Sequence, residues 1–380
     1  MRLWEDGFDH YGDASHTLDG PYAQYDGEIS SAQVATGTAS WYMNNEGGLL
    51  EFDGLRKVLP SAVNTIGCAA RFYFPVLPTT NYMNCIFGLM PSDTLLYGQL
   101  GFSVGINGEI HVIRKPSGYS NFNLLDLSGA ESAVVIGSSD PLITAGAFHH
   151  IEVQAFIDDA AGWVRIAVNG IHRYLLSGVD TKGSDTTANI GSVAQYQSTQ
   201  SEESNWFYMD DYYIYDFTGD SAIDTDFCPN VGGDGIATNY IGDLQVWPLF
   251  PNGDTAEADF VLSTGTDGYA LIDEHSPNDD TYIYSENLND LSEFELDDLP
   301  PEITYIRGLG QHIRMSKSDG GSARVKVGMK SVAATFDNDE RPLTVIPTYW
   351  RDACDVDPNS GSRWTRASLN AGKVRFTRSA

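Results

Sequence analysis

Apolar and polar residues alternate with a period of two along most of this chain, and convincing helical periodicity over about eleven residues is nearly absent. Gly and Asn-Gly pairs punctuate the runs, and Tyr, Phe, Val and Ile fill them. The pattern predicts an all-β chain. GQLGFSVGINGEIHVIRK (98–115) reads as a strand, an Asn107-Gly108 turn and a second strand carrying Ile110 and Val112. GAFHHIEVQAFIDDAAGWVRIAVNGIHRYLL (146–176) reads as three strands, with Asn169-Gly170 supplying the positive φ of a two-residue type I′ hairpin. On its middle strand Val164, Ile166 and Val168 share one face while Arg165 and Ala167 take the other, so one face is core and the other is wet or stacked.

At 380 residues the chain suits two domains. The pattern weakens over FTGDSAIDTDFCPNVGGDGIATN (217–239), which reads as a linker or wrapping connection. The expected boundaries are a first β-sandwich over 1–220, a linker over 221–240 and a smaller β-sandwich over 241–380. In the second half Asn278, Asp279 and Asp280 predict an Asx-type turn before a TYIYS strand.

A net charge of −30, with 52 acidic and 22 basic residues, argues against nucleic acid or an anionic membrane as partner, because phosphate binding needs clustered cations. No long apolar window predicts a membrane span, and the opening MRLWEDGFDHYGD lacks the basic and apolar regions of a secretion signal. Cys68, Cys85, Cys228 and Cys354 form no C-x-x-C pair and are expected as free buried thiols made in a reducing cytoplasm. No N-x-[ST] sequon occurs. Lys and Arg are missing from Gly183 to Ile306, where half of the acidic residues lie, and they crowd the tail from Arg307 onward. The two segments are complementary within the protein or across a subunit boundary. Capture of Ca²⁺ by the acidic segment stays open, although no EF-hand run is present.

Candidate chemistry is sparse. Asp210 and Asp211 are adjacent, so on a regular strand they point to opposite faces, and Asp216 is about 20 Å further along. Neither arrangement gives the carboxylate pair, about 5 to 5.5 Å apart, that a retaining glycosidase needs. GFSVG (101–105) matches the nucleophile-elbow pattern, but a strand follows where that elbow needs a helix, so Ser103 is expected as an ordinary strand residue. His149 and His150 fall on opposite faces, and His10, His16 and His111 lack ligand spacing; all are expected as structural. The aromatic-rich segments SWYMNNEGG (40–48) and NWFYMDDYY (205–213) are left as core or as glycan-binding loops, with Trp41, Asn44, Asn45 and Asp210 as the candidate binding set.

The order FHHIEVQAFID, GWVRIAVNG and, some forty residues later, FYMDDYYIYD resembles the concanavalin A-like or laminin-G-like lectin sandwich. DGFDHYG near the start is similar to the opening of such domains in tailed-phage virion proteins. The later series IGDLQVWPLFPNGD, DEHSPNDDTYIYS, RMSKSDGGSARVKVGM and DPNSGSRWT resembles a C-terminal β-sandwich module of the same structural proteins. Asp357, Pro358, Gly361, Trp364 and Thr365 match its closing motif, while Ser360 stands where the family usually has Thr.

The resemblance implies two jelly-roll-like sandwiches and a non-enzymatic protein on the surface of a virion, in the tail, tail fibre or head decoration. It would be made in the bacterial cytoplasm. Implied partners are copies of itself, with a trimer expected, other capsid or tail proteins, and host glycans. A glycan-binding adhesin is the alternative, and a glycan depolymerase the weaker one. No cofactor is implied. DPNSGSRWTRASL itself reads as a clasp: Asp-Pro opens a turn, Asn-Ser-Gly reverses it, and TRASL returns as a pairing strand. Arg363 and Arg366 flank the tryptophan and are expected at an interface with the acidic middle of the chain.

Overall fold

The computed structural model describes residues 2–9, 11, 22, 24–25, 27–43, 52–78, 84–90, 99–114, 134–182, 188–196, 206–217, 240–274 and 278–380. The chain is all-β and divides into two compact units, Met1–Asp9 with Tyr22–Trp247, and His10–Pro21 with Pro248–Ala380. The second unit thus takes up the main chain at Pro248 instead of 241. The reason is local: residues 240–247 are hydrogen-bonded to the first unit's sheet, as described below. Residues 221–239 of the expected linker lie outside the described residues.

The first unit is a sandwich of two antiparallel sheets. One runs β13 (Ile171–Val179), β12 (Gly162–Val168), β11 (Phe148–Phe156), β6 (Thr65–Tyr73), β15 (Phe207–Asp216), β4 (Ser40–Met43), β3 (Glu28–Ser30), with β1 (Arg2–Asp6) also paired to β15. The other runs β10 (Val134–Ser138), β9 (Ile110–Arg114), β8 (Leu100–Val104), β7 (Asn84–Met90), β14 (Ala188–Tyr196), β5 (Phe52–Val63), β2 (Gln24–Tyr25). Aromatic side chains close the space between them: Phe72 of β6 meets Phe87 of β7 edge to face at 5.3 Å, and Phe87 stacks on Tyr212 of β15. The predicted hairpin is present, with Asn169 at φ 53° and Gly170 at φ 74°, the type I′ geometry that Asn-Gly favours. Ser103 lies within β8, wholly buried.

The second unit is built on the sheet β16 (Pro251–Ala258), β19 (Leu291–Leu296), β25 (Lys373–Arg378), β21 (Arg324–Ser331), β22 (Ala334–Asp337), with β23 (Arg341–Pro342) also on β21. Two ribbons accompany it, β17 (Val261–Leu262) with β18 (Ile283–Tyr284), and β20 (Gly310–Met315) with β24 (Thr348–Ala353). Ile283, Ile313 and Met315 from the ribbons pack on the core of Phe294, Val325, Val327, Met329, Trp364 and Leu369. The Asx turn is present, with the Asp280 amide donating to Asn278 Oδ1 at 3.0 Å.

One element differs in type. Residues Arg366–Asn370 form a short helix, α1, where a strand was expected. Thr365 caps it in a reciprocal box with Ser368, and only Leu369 of the turn is buried, so the local T-x-x-S cap outweighs the short apolar alternation. The returning strand is β25, which starts only at Lys373.

Candidate functional site

The decisive local feature of the first unit is a bulge in β15. Asp210 faces Arg71 and Tyr213 faces Ala69, so two residues of β15 oppose one of β6. Asp211 sits in the bulge at φ 53°, a conformation that Asp tolerates better than most residues. This corrects the expectation that Asp210 and Asp211 point to opposite faces. Thr36 binds both, its amide donating to Asp210 Oδ2 at 3.0 Å and its hydroxyl to Asp211 Oδ2 at 2.8 Å. Asp210 also accepts the amides of Ala35 and Asp211, and Asp211 accepts the amide of Val246 at 2.6 Å. Arg71 lies 3.5 Å from Asp211 and 3.0 Å from Asp243.

Both carboxyls are wholly buried. Burial first, and then the charge of Asp211, lifts Asp210 to about 8, and burial lifts Asp211 to about 7. The pair therefore holds protons that ordinary carboxyls release. Its oxygens are spent on fixing residues 35–36 and 246, so it is a structural joint and presents no carboxylate to a sugar. Asp6 and Asp9 of the opening motif do related work. Asp6 accepts the Phe8 amide and the Tyr22 hydroxyl, and Asp9 accepts the amides of Thr38 and Ala39.

The bulge also resets the alternation downstream, so that Tyr213 and Tyr215 join the outer sheet face that a regular strand would have given to Tyr212 and Ile214. Glu152 and Gln154 of β11 lie on the same face, and residues 240–247 cross it. Glu152, wholly buried, accepts the Ile241 amide at 2.8 Å, the Gly242 amide at 2.9 Å and the Tyr215 hydroxyl at 2.5 Å. Tyr213 donates its hydroxyl to the Gly242 carbonyl at 2.5 Å. With that proton committed, the 3.1 Å contact between Tyr213 and His150 Nε2 requires His150 to be the donor. The imidazole is then neutral, in keeping with burial, which presses His150 down to about 4. Arg165 lies over the Tyr240 ring at 4.4 Å. The face predicted to be wet or stacked is stacked.

At the other end of the same sheet a row of rings stays partly open. Tyr42 of β4 stacks on Tyr208 of β15 at 4.7 Å and meets Trp206 edge to face at 5.6 Å. Tyr73 of β6 lies between Tyr208 and Phe148. Tyr42, Tyr73, Phe148 and Trp206 are half-buried, and Tyr208 is the buried centre. Of the residues proposed from sequence in these segments, the two that can be placed are buried. Trp41 is 0% exposed and tilts against Phe8 in the core, and Asp210 is the buried joint already described. Asn44 and Asn45 lie outside the described residues. Strand alternation separates the neighbours: with Trp41 inward, Tyr42 must face out.

In the second unit the closing motif folds as a clasp. Asp357 accepts the Asn359 amide at 2.9 Å and the Ser360 hydroxyl at 3.1 Å, and its carbonyl accepts the Gly361 amide at 2.9 Å. Gly361 takes φ 66°, the left-handed step of the reversal that follows Pro358. Trp364, buried, donates Nε1 to the Cys354 carbonyl at 2.7 Å. Ser360 keeps the hydroxyl that the motif needs. Arg363 bonds the carbonyl of Arg307 inside its own unit. Arg366, half-buried, makes no ion pair among the described residues. Several tail cations do meet the acidic segment: Lys330 pairs with Glu293 at 2.6 Å, Lys373 with Glu295 at 3.8 Å, and Arg314 with Asp279. Burial pushes the Cys354 thiol up to about 12 and the Cys68 thiol higher still, so both buried free cysteines are inert.

No group of three or more His, Cys, Asp or Glu side chains among the described residues is arranged to hold a metal ion. No helix among them is long and apolar enough to cross a membrane. No protein-family model matches the chain, and no curated protein matches it. Among solved structures it is similar to the endo-β-1,4-glucuronan lyase of the fungus Trichoderma reesei, at 13% identity and TM-score 0.38, over 50% of this chain and 87% of that one. It is similar to alginate lyase vAL-1 from Chlorella virus at 11% identity and TM-score 0.36, over 50% and 89% of the two chains. The carbohydrate-binding module CBM66 of Bacillus subtilis follows at 7% identity and TM-score 0.32, over 51% and 95%. At these values the likenesses carry no functional argument, and what this protein does is read from its own side chains.

Proposed function

We propose that the first unit is a glycan-binding module that works by association and leaves glycosidic bonds intact. The observation that carries this reading is the half-open ring row of Tyr42, Trp206, Tyr208, Tyr73 and Phe148. Rings held at fixed angles by their neighbours offer apolar faces to the C–H faces of a sugar while losing little side-chain entropy on binding. The carboxylates that cleavage would need are committed elsewhere, Asp210 and Asp211 to the loop amides and Glu152 to residues 241–242. The excess of acidic residues disfavours anionic polysaccharides, so the expected ligands are neutral or amino sugars. A glycan array probed with the full chain should show saturable binding that falls about tenfold or more on Trp206→Ala. A blank array overturns the reading.

The protein's place, on this proposal, is the surface of a tailed-phage or phage-like particle, where it assembles with copies of itself and with capsid or tail proteins. Support comes from the order of sequence motifs, above all DPNSGSRWT, and from the clasp that this motif forms. Immunogold labelling of particles from an infected culture tests it: decoration of heads or tails is expected, and undecorated particles reject the assignment.

A further inference from the structure

On the other sheet of the first unit, three side chains that the glycan reading does not use lie next to one another. Ser138 closes β10 and stands directly opposite His111 of β9, so both side chains share one sheet face. The Ser138 hydroxyl lies 2.7 Å from His111 Nδ1, and His111 Nε2 lies 3.4 Å from Glu109 Oε1. The other Glu109 oxygen is held by the Asn107 amide at 3.0 Å, which fixes the carboxylate. A carboxylate beside Nε2 favours the proton there, which leaves Nδ1 as the acceptor for the serine proton. Burial keeps the imidazole below its ordinary pKa, against the pull of Glu109, so at neutral pH it is an unprotonated base.

Position supports the same roles. Ser138 is exposed, whereas His111 is 5% exposed. Its backbone is held on the far side by a reciprocal pair: the Ser139 amide bonds the Ile110 carbonyl, and the Ile110 amide bonds the Ser139 hydroxyl. The register of β10 shifts between Val135 and Gly137, a bulge that sets the direction of the residue after it. Ser103, on the opposite side of His111 in β8, is wholly buried and has no such access.

We propose that Ser138, His111 and Glu109 form an acyl-transfer site that hydrolyses small carboxylic esters of alcohols, such as O-acetyl esters. Ser138 Oγ attacks the ester carbonyl carbon while its proton passes to His111 Nδ1. The tetrahedral intermediate collapses by breaking the C–O bond to the alcohol, which leaves with that proton. Water, deprotonated by the same nitrogen, then attacks the acyl-serine, releasing the carboxylic acid and restoring Ser138. Glu109 stabilises the imidazolium between the two transfers. None of this depends on sugar binding at the ring row.

The test uses the full-length chain with p-nitrophenyl acetate. A burst of p-nitrophenol stoichiometric with protein is expected, with one acetyl group on the peptide that contains Ser138. Ser138→Ala, a change at an exposed position, should keep the melting temperature and lower the rate by about 100-fold or more. The acid limb of kcat/KM should fall on the acid side of an ordinary imidazole. A fluorophosphonate probe gives an independent readout, labelling Ser138 in the wild type only. Absence of both burst and label, or hydrolysis unchanged in Ser138→Ala, overturns the proposal.

Discussion

The two ends of the eight-stranded sheet's outer face use similar residues to opposite ends. At one, Glu152, Gln154, Arg165, His150, Tyr213 and Tyr215 are sealed beneath residues 240–247. At the other, Tyr42, Tyr73, Phe148 and Trp206 remain half-buried. A polar, aromatic sheet face is thus no sign of a binding site by itself. What separates the ends is whether the chain's own backbone has satisfied the polar groups. At the closed end two consecutive amides and a carbonyl of residues 241–242 do so; at the open end no such segment crosses the rings among the described residues.

The comparison is broken most severely at Glu152. Glu152→Ala leaves the Ile241 and Gly242 amides and the Tyr215 hydroxyl without their buried acceptor, and each orphaned group costs about 1 to 3 kcal/mol. Urea denaturation should show a loss of roughly 4 kcal/mol or more in the first unit, with sugar binding at the ring row kept wherever the unit stays folded. A loss below about 1 kcal/mol would mean that residues 240–247 are only loosely held.

Adjacent positions sharpen the contrast. Trp41→Ala empties a fully buried indole site and should cost about 3 to 5 kcal/mol. Tyr42→Ala removes a half-buried ring, should cost about 1 kcal/mol or less, and should weaken sugar binding. Thermal melts and binding isotherms on the two variants distinguish core from surface; equal effects on both would merge the roles.

These neighbours also show what was legible in the sequence. The period of two placed the strands, the Asn169-Gly170 hairpin and the all-β class, because side-chain alternation and type I′ geometry are local properties. Inside SWYM it fixes only that Trp41 and Tyr42 take opposite faces; which of them turns inward is decided by the packing against Phe8. Asp210 and Asp211 were beyond reach for another reason. Their shared site depends on a bulge set by pairing with β6, and on amides from residues 35, 36 and 246 that lie far away in sequence. Residues 241–247 fall in the first unit and not the second because their partners, such as Glu152, are long-range as well. The clasp was visible except for its helix, since the cap needs Thr365 and Ser368 to be weighed against a short apolar alternation.

Titration gives a third, smaller separation. Asp210 and Asp211 have folded pKa values of about 8 and about 7, above the ordinary carboxyl, so the folded state holds protons that the unfolded chain releases. Their contribution is therefore fully present below about pH 4 and is lost as the pH rises toward 8. His150 works the other way: pressed down to about 4 by burial, it contributes fully above about pH 6.5 and loses that as the pH falls toward 4. Stability of the first unit should fall as the pH rises from about 6.5 to about 8, where the His150 contribution is already complete, and Asp210→Asn should flatten that limb. An unchanged slope in the variant would mean that the pair does not carry the proton.

The smallest effects lie in the clasp of the second unit, where a capping hydroxyl and a neighbouring charge can be set against each other. Thr365→Ala removes the oxygen that accepts the Ser368 amide at 3.1 Å and caps a helix of only five residues. Loss of such a cap costs about 1 kcal/mol. Thr365→Ser keeps the oxygen and should leave stability within about 0.5 kcal/mol of wild type. Arg366→Glu, one position on, reverses a charge that makes no ion pair among the described residues. A negative charge at a helix N-terminus is mildly favourable, so this change should be neutral or slightly stabilising. A loss from Arg366→Glu greater than that from Thr365→Ala would give the clasp an electrostatic role in place of a capping one, and would restore the arginine to an interface.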